Sequence, residues 1–377
     1  MTSARPIRVL HLRDSPWVDG PGRTILETAK RIDRSCIDYH VGAFISKPGE
    51  PHPLVDALKE CNLPVHEIVD DGGIAPGIVG RLVDLIDRLQ IDVLHTSEFR
   101  SNVLGLLCRG RRPVKLMSTA HGWIANDLRG TAFTLADRVL LRRFDRVVLV
   151  SHAMRRRLPR WWVPDRTVRV LHNALMTDSY GQEALDAPWR EVDPSGEIRV
   201  LNVGRLSAEK GQELLLRAVE ALSPEFPGLR LWFAGVGPLE QRLRRLAIEL
   251  GVGERVRFLG YVADMPSLYR QVDLVVQSSL TEGLPNVMLE VAYLGVPVVA
   301  TDVGGTAEVI EHRRTGWLID SGSMAAIREG IRCYLTSPQE FIEMASRGRS
   351  RIQTDFSIQS RTQQQTRLYQ DVACVRE

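Results

Sequence analysis

Short apolar runs recur along this chain, each followed by an amphipathic segment and a turn, and this rhythm constrains the fold more than any single motif. "IRVLHL" (7–12) reads as a buried strand and "ILETAKRI" (25–32) as a helix. "YHVGAF", "DVLHT", "VKLMSTAHG", "DRVVLVS" and "VRVLHN" follow as strands, with helical segments between most of them. Nearly continuous apolar strands alternating with helices predict a parallel sheet covered on both faces. Residues 177–196, "TDSYGQEALDAPWREVDPSG", interrupt the pattern with two Pro, two Gly and many charges, as a linker does. The rhythm then resumes with "IRVLNVG", "LRLWFAG", "RVRFLGY", "VDLVVQ" and "PVVAT". A length of 377 residues exceeds what one core usually serves. The expectation is two Rossmann-like, doubly wound parallel-sheet domains facing across a cleft. Residues 1–185 form the first, 190–355 the second, and 356–377 a polar helix.

Composition excludes several classes. A net charge of +3 gives no global field to select a partner. The five cysteines are scattered, odd in number and form no C-x-x-C, which predicts free thiols rather than a disulfide frame or zinc site. The N-terminus lacks an apolar signal core, and no run approaches the roughly 18 apolar residues of a membrane span. A cytoplasmic protein is expected, with any membrane contact peripheral.

Ligands of open α/β sheets bind beyond the carboxyl ends of the strands, so the loops there carry the chemistry. In "NVGRLSAEKG" (202–211), a strand ends at Gly204, Arg205 follows, and Lys210 comes five positions later. Gly admits close backbone approach, Arg offers a flat fork to phosphate oxygens and Lys a point charge. Two cations here suit a diphosphate; a surface turn with solvated side chains is the alternative. In "TEGLPNVMLEVAYLGVPVVATDVGG" (281–305), Glu282 and Glu290 stand eight positions apart among apolar, Gly and Pro residues. Pro285 suits the first turn of a helix ending near Gly295, and the start of that helix is an anion site. Glu282 then lies in the loop ahead and Glu290 inside, at different depths along one ligand. Glycosidase carboxylates flank one bond at roughly 5–9.5 Å, which a loop–helix pair could reach, but hydrolysis of a neutral glycoside has no use for a phosphate cradle. Glu290 could instead bond a neighbouring loop, because burial without a partner is costly.

Weaker signals lie elsewhere. "WFAGVGPLE" (232–240) holds a G-x-G with Glu240 at the third glycine's place, and "DSPWVDGPGRT" (14–24) holds Gly20 and Gly22 with Ile25 where a final Gly would stand. Neither makes a dinucleotide fingerprint. "STAHGW" (118–123) sets His121 at a strand end, able to bond a sugar or take a proton, or simply to be a structural hydrogen bonder.

Together these residues resemble glycosyltransferase family 4, retaining enzymes of the GT-B fold. The resemblance covers nearly the whole chain. It is most specific in "GRLSAEKG", "FAGVGPLE", "VRFLGYV" and "YRQVDLVVQSSLTEGLPNVMLEVAYLGVPVVATDVGGTAEVI", and looser in "AHG", "RVVLVSHAMRRRL" and "VRVLHNAL". It implies that Arg205 and Lys210, behind Gly204, grip a donor diphosphate. By the same resemblance Glu282 contacts the donor sugar and Glu290 binds the nucleotide ribose. Gly283, Leu284, Pro285, Asn286 and Val287 supply contacts to sugar and phosphate. His121 lies near the transferred sugar, and Gly20 and Gly22 match a Gly-Gly loop, split here by Pro21. Asn173 is kept where "PNGV" is usual, with Ala174 in place of Gly. The first domain would serve the acceptor and the second the nucleotide-sugar, while "FSIQSRTQQQTRLYQDV" resembles the helix that returns to the first domain. Same-face attack, with the departing phosphate taking the acceptor proton, is the mechanism the family implies. No D-x-D suggests a metal, and no cofactor is expected.

Residues 138–169 hold ten Arg against two Asp. Arg155, Arg156, Arg157, Arg160, Trp161 and Trp162 suit an anionic bilayer surface, consistent with a glycan or lipid-linked acceptor in cell-envelope synthesis. A solvated helix face with both Trp packed on the sheet is the alternative. No nucleic-acid motif is present. A sugar-nucleotide epimerase and a non-catalytic sugar-nucleotide-binding subunit are the competing functions.

Overall fold

The computed structural model describes residues 5–18, 20–70, 72–123, 128–176, 180 and 196–374, with backbone alone over 128–131. The chain forms two compact units: Met1–Ala174 with Ile358–Glu377, and Leu175–Ser357. The division therefore falls ahead of the boundary expected at 185–190. Most of the expected linker lies outside the described residues.

Unit 1 is built on a seven-stranded sheet: β1 (Ile7–Arg13), β2 (Ile37–Ile45), β3 (Val65–Val69), β4 (Val93–Thr96), β5 (Lys115–Ala120), β6 (Arg146–Leu149) and β7 (Val168–Val170). The order is β3-β2-β1-β4-β5-β6-β7, and every pairing is parallel. Unit 2 carries β8 (Ile198–Val203), β9 (Leu229–Ala234), β10 (Val256–Gly260), β11 (Leu274–Gln277), β12 (Val298–Thr301) and β13 (Trp317–Ile319), ordered β10-β9-β8-β11-β12-β13. In each sheet the chain steps outward from a central strand and then crosses to its other side. The crossing lies between β1 and β4 in unit 1 and between β8 and β11 in unit 2. Such switch points leave a crevice at the strands' carboxyl ends.

The strand pattern in the sequence misses β3 and β13. Both are edge strands: "VHEIV" is interrupted by His66 and Glu67, and "WLI" is apolar but only three residues long. A second correction concerns Gly20 and Gly22. They do not form a loop but open the helix Gly20–Arg31, with Pro21 in its first turn, where a missing N–H costs nothing.

The polar C-terminal segment forms the helix Ile358–Cys374, which belongs to unit 1. Its Leu368, Tyr369 and Val372 join the core of Val9, Ile25, Val41 and Val93. Full burial of side chains of this size stabilises by about 1.5–3 kcal/mol each. The core of unit 2 gathers Val200, Leu231, Phe233, Leu274, Val276 and Val299 from the strands against Leu215, Val219 and Ile331 from helices.

Candidate active site

The site in unit 2 is assembled from the loops that follow β8 and β11, neighbours in the sheet on either side of the switch point. After Gly204 the chain runs through Arg205 and Leu206 into a single 3-10 turn, Ala208–Lys210. Gly211 ends that turn with φ 64° and starts the helix Gln212–Leu222. Only glycine fits there: a Cβ would lie 2.2 Å from the Ser278 carbonyl oxygen. That near-contact brings the two loops together. Leu280 N donates to Glu209 O at 2.7 Å, and Ser278 Oγ donates to Lys210 O at 2.8 Å.

The chemistry converges where these loops touch. Lys210 Nζ lies 2.6 Å from Glu282 Oε1. The same oxygen accepts from Ser279 Oγ at 2.7 Å. Two residues expected to contact different parts of a donor are thus paired directly. Arg205 is exposed, and its guanidinium makes no bond with the described residues. Its own carbonyl is held by Gln212 Nε2 at 2.9 Å, which fixes the backbone from which the free cation projects.

Glu282 and Gly283 are braced from β12's side. A Cβ on Gly304 would meet Glu282 O at 2.1 Å, and Gly305 N donates to Gly283 O at 2.7 Å. Thr301 Oγ1 donates to Ser279 O at 2.7 Å. Gly283, Leu284 and Pro285 are buried; Asn286 and Val287 are half-buried at the start of the helix Asn286–Leu294. Gly295 ends that helix with φ 75°. Asn286 Oδ1 is buried with no donor among the described residues. Glu290, 9% exposed, faces a second anchor: Tyr269 Oη donates to its Oε2 at 2.6 Å. The alternative of a helix-face glutamate bonded to a neighbouring segment is therefore realised for one oxygen.

The G-x-G of "FAGVGPLE" has a packing role. A Cβ on Gly235 would fall 2.0 Å from Gly204 O, and one on Gly237 2.3 Å from Leu206 O. Both glycines let the loop after β9 lie against the Gly204–Leu206 backbone. Sequence reasoning missed Tyr269, Ser278, Ser279, Gly211 and Gly304 as parts of the site. The signal was present for the two glycines: Gly211 closes the quoted loop after β8, and Gly304 follows β12 by three positions. Tyr269 had none, because its partner lies 21 positions away.

The remaining candidates lie in unit 1. His121 follows β5 directly, and its Nδ1 is buried with no partner among the described residues. Burial, then the charges of Arg13 and Arg361, push its pKa down to about 3, so the imidazole is neutral at physiological pH. Asn173 is buried beyond β7. The Arg/Trp segment is only partly compensated. Arg155 and Arg160 both pair with Asp165, whereas Arg156 and Arg157 are exposed. Trp161 is 79% exposed and stacks on Trp162, with centroids 5.3 Å apart. It does not pack on the sheet. Among the described residues no helix is long and apolar enough to cross a membrane.

Residues 186–351 match the family "Glycosyl transferases group 1", and residues 18–179 match "Glycosyltransferase Family 4". A GDP-mannose-dependent alpha-(1-6)-phosphatidylinositol monomannoside mannosyltransferase of Mycobacterium tuberculosis is 30% identical over 250 residues, covering 62% of this chain and 64% of that protein. An uncharacterized glycosyltransferase of Haemophilus influenzae is 28% identical over 151 residues, 40% of this chain and 43% of its own length. The chain thus spans less than two thirds of these relatives. The crystal structure of Anabaena Alr3699/HepE in complex with UDP and glucose superposes with a TM-score of 0.82 at 21% identity, covering 98% of this chain and all of that one. With one family match in each half and the same two-sheet architecture, the chain belongs to the group 1 glycosyltransferases of the GT-B fold.

Proposed function

We propose that this protein transfers a sugar, with retention of configuration, from a nucleoside-diphosphate sugar to an acceptor hydroxyl. The observation that carries the reading is the Lys210–Glu282 pair beside an unengaged Arg205 at the switch point of unit 2. The bond to break joins the sugar's anomeric carbon to the diphosphate. Negative charge grows on the leaving group, so fixed cations there stabilise the transition state more than the ground state. Arg205, Lys210 and the N–H groups opening the helix Asn286–Leu294 are the cations and dipoles for that task. Glu282, held by Ser279 and Lys210, takes donor-sugar hydroxyls, and Glu290 takes the ribose diol. The departing phosphate accepts the acceptor's proton, and no protein-bound metal enters the reading. His121, neutral, is assigned to the transferred sugar on the family resemblance.

Support for a nucleotide donor comes from relatives. The Anabaena protein was crystallised with UDP-glucose, and the mycobacterial relative is GDP-mannose-dependent. The acceptor class we infer is a cell-envelope glycan or lipid-linked sugar. Relatives include a lipopolysaccharide core glycosyltransferase of Rhizobium meliloti, and the exposed Trp161 with Arg156 and Arg157 suits an anionic bilayer. The deciding assay follows nucleoside-diphosphate release in EDTA with and without acceptor. Acceptor-dependent release that falls 100-fold or so in Lys210→Ala is expected. Donor isomerisation without release would make the protein an epimerase; donor binding without either would make it a binding subunit.

A further inference from the structure

The switch point of unit 1 holds a second, separate cluster. His11 on β1 and His95 on β4 are register partners, and their rings stack 3.8 Å apart. Each imidazole is fully engaged with hydroxyls. His11 bonds Tyr39 Oη at 2.6 Å and Ser97 Oγ at 2.8 Å; His95 bonds Tyr369 Oη at 2.7 Å and Thr119 Oγ1 at 2.8 Å. Burial drives both imidazoles well below their usual range and both tyrosines above theirs, so all four are neutral. Arg13 is charged but paired with Glu98.

Arg361 enters this cluster from the C-terminal helix and is only 5% exposed. Its Nε donates to His172 O at 3.2 Å and its Nη1 to Thr28 Oγ1 at 3.4 Å. No carboxylate pairs with it among the described residues. A buried guanidinium without a counter-charge is costly, and proteins almost always supply one. Beside it lies a small cavity whose wall includes His121, Thr24, Gln365 and Arg361 and carries no carboxylate. Two wall groups lack partners among the described residues: His121 Nδ1, and Nε2 of Gln365, a residue 1% exposed. Gln365 lies near the Tyr369 hydroxyl, but its Nε2 has no acceptor of good geometry there. Buried polar atoms without partners are uncommon, and two on residues that line one cavity call for a ligand.

We propose that this cavity is a binding site for a monatomic inorganic anion, of the size of chloride, held by Arg361 and Gln365 beneath His121. Charge selects an anion: the wall offers one cation, amide and hydroxyl donors, and no acid. Size selects a monatomic one, because the space admits about one water-sized sphere and a phosphate or sulfate does not fit. A lone water would satisfy the orphan atoms but leave Arg361 uncompensated. The ion would offset the Arg361 charge that reaches His121 and lock the C-terminal helix onto the switch point. The site rests on unit 1 alone, so failure of donor binding in unit 2 leaves it standing.

Crystals of the full chain grown in bromide test it directly: an anomalous peak in the cavity beside Arg361 is expected, and its absence overturns the proposal. In solution, sodium chloride should raise the melting temperature above sodium gluconate at equal ionic strength, saturably, and the difference should vanish in Arg361→Met. Equal melting in both salts, an effect retained in Arg361→Met, or an equal rise with sulfate would each contradict a monatomic anion at this site. Should Arg361→Met not fold, the bromide crystals of the wild-type chain decide.

Discussion

Lys210 and Glu282 stand 72 positions apart and meet at 2.6 Å, so each fixes the position of the other. Glu290 is held differently, by a buried tyrosine hydroxyl. Leaving a buried carboxylate without one of its donors costs about 1–3 kcal/mol. Tyr269→Phe, which removes only that hydroxyl, is therefore expected to lower stability by that amount. It should also weaken donor binding, because the carboxylate loses its orientation. Denaturant unfolding and donor titration check this, and an unchanged midpoint with unchanged affinity would mean that Tyr269 does not position Glu290. At this scale the sequence was informative where residue type and chemistry coincide. Arg205, Lys210, Glu282 and Glu290 stood out as candidates beside glycines and a proline. The Lys210–Glu282 pairing was not, because it depends on β8 and β11 being neighbours, and adjacency in a sheet leaves no local trace.

The central strands were readable because burial on both faces demands an unbroken apolar run. β3 escaped because His66 and Glu67 break its apolar run, and β13 because it is only three residues long. The glycines at 235 and 237 make no dinucleotide fingerprint in the sequence, and their role is close packing against the loop after β8. The element carrying the least expected chemistry is the C-terminal helix, whose polar sequence conceals Arg361, Gln365 and Tyr369 on its buried face. It helps to enclose three histidines whose pKa values are depressed in the fold. The sign follows. Below the ordinary value of 6.5 the unfolded chain takes up protons that these residues refuse, so their contribution is fully present above 6.5 and lost on acidification. Each costs at most about 1.4 kcal/mol per pH unit while the folded form stays neutral. Thermal unfolding from pH 7.5 to 5 should show a melting temperature falling below about pH 6.5. A flat profile would contradict neutral burial of the cluster.

Across the whole molecule, two units repeat one plan, and each sets chemistry at its switch point. That plan was legible in the rhythm of the sequence. The point of division was not, because the Pro- and Gly-rich stretch that advertised it begins after Ala174. The Arg/Trp surface of unit 1 makes its own prediction. Anionic liposomes should float the protein, and Trp161→Ala combined with Arg156→Gln and Arg157→Gln should reduce flotation; no flotation of the wild type would remove the membrane from the account. The central claim is that unit 2 holds a nucleotide-sugar between Lys210, Glu282 and Glu290. Its most direct test is the melting temperature of the wild type, Lys210→Ala and Glu290→Ala against UDP-, GDP-, ADP- and TDP-sugars. The account predicts a rise with one nucleotide in the wild type and none in either variant. A rise that survives both substitutions, or no rise with any donor, would contradict it.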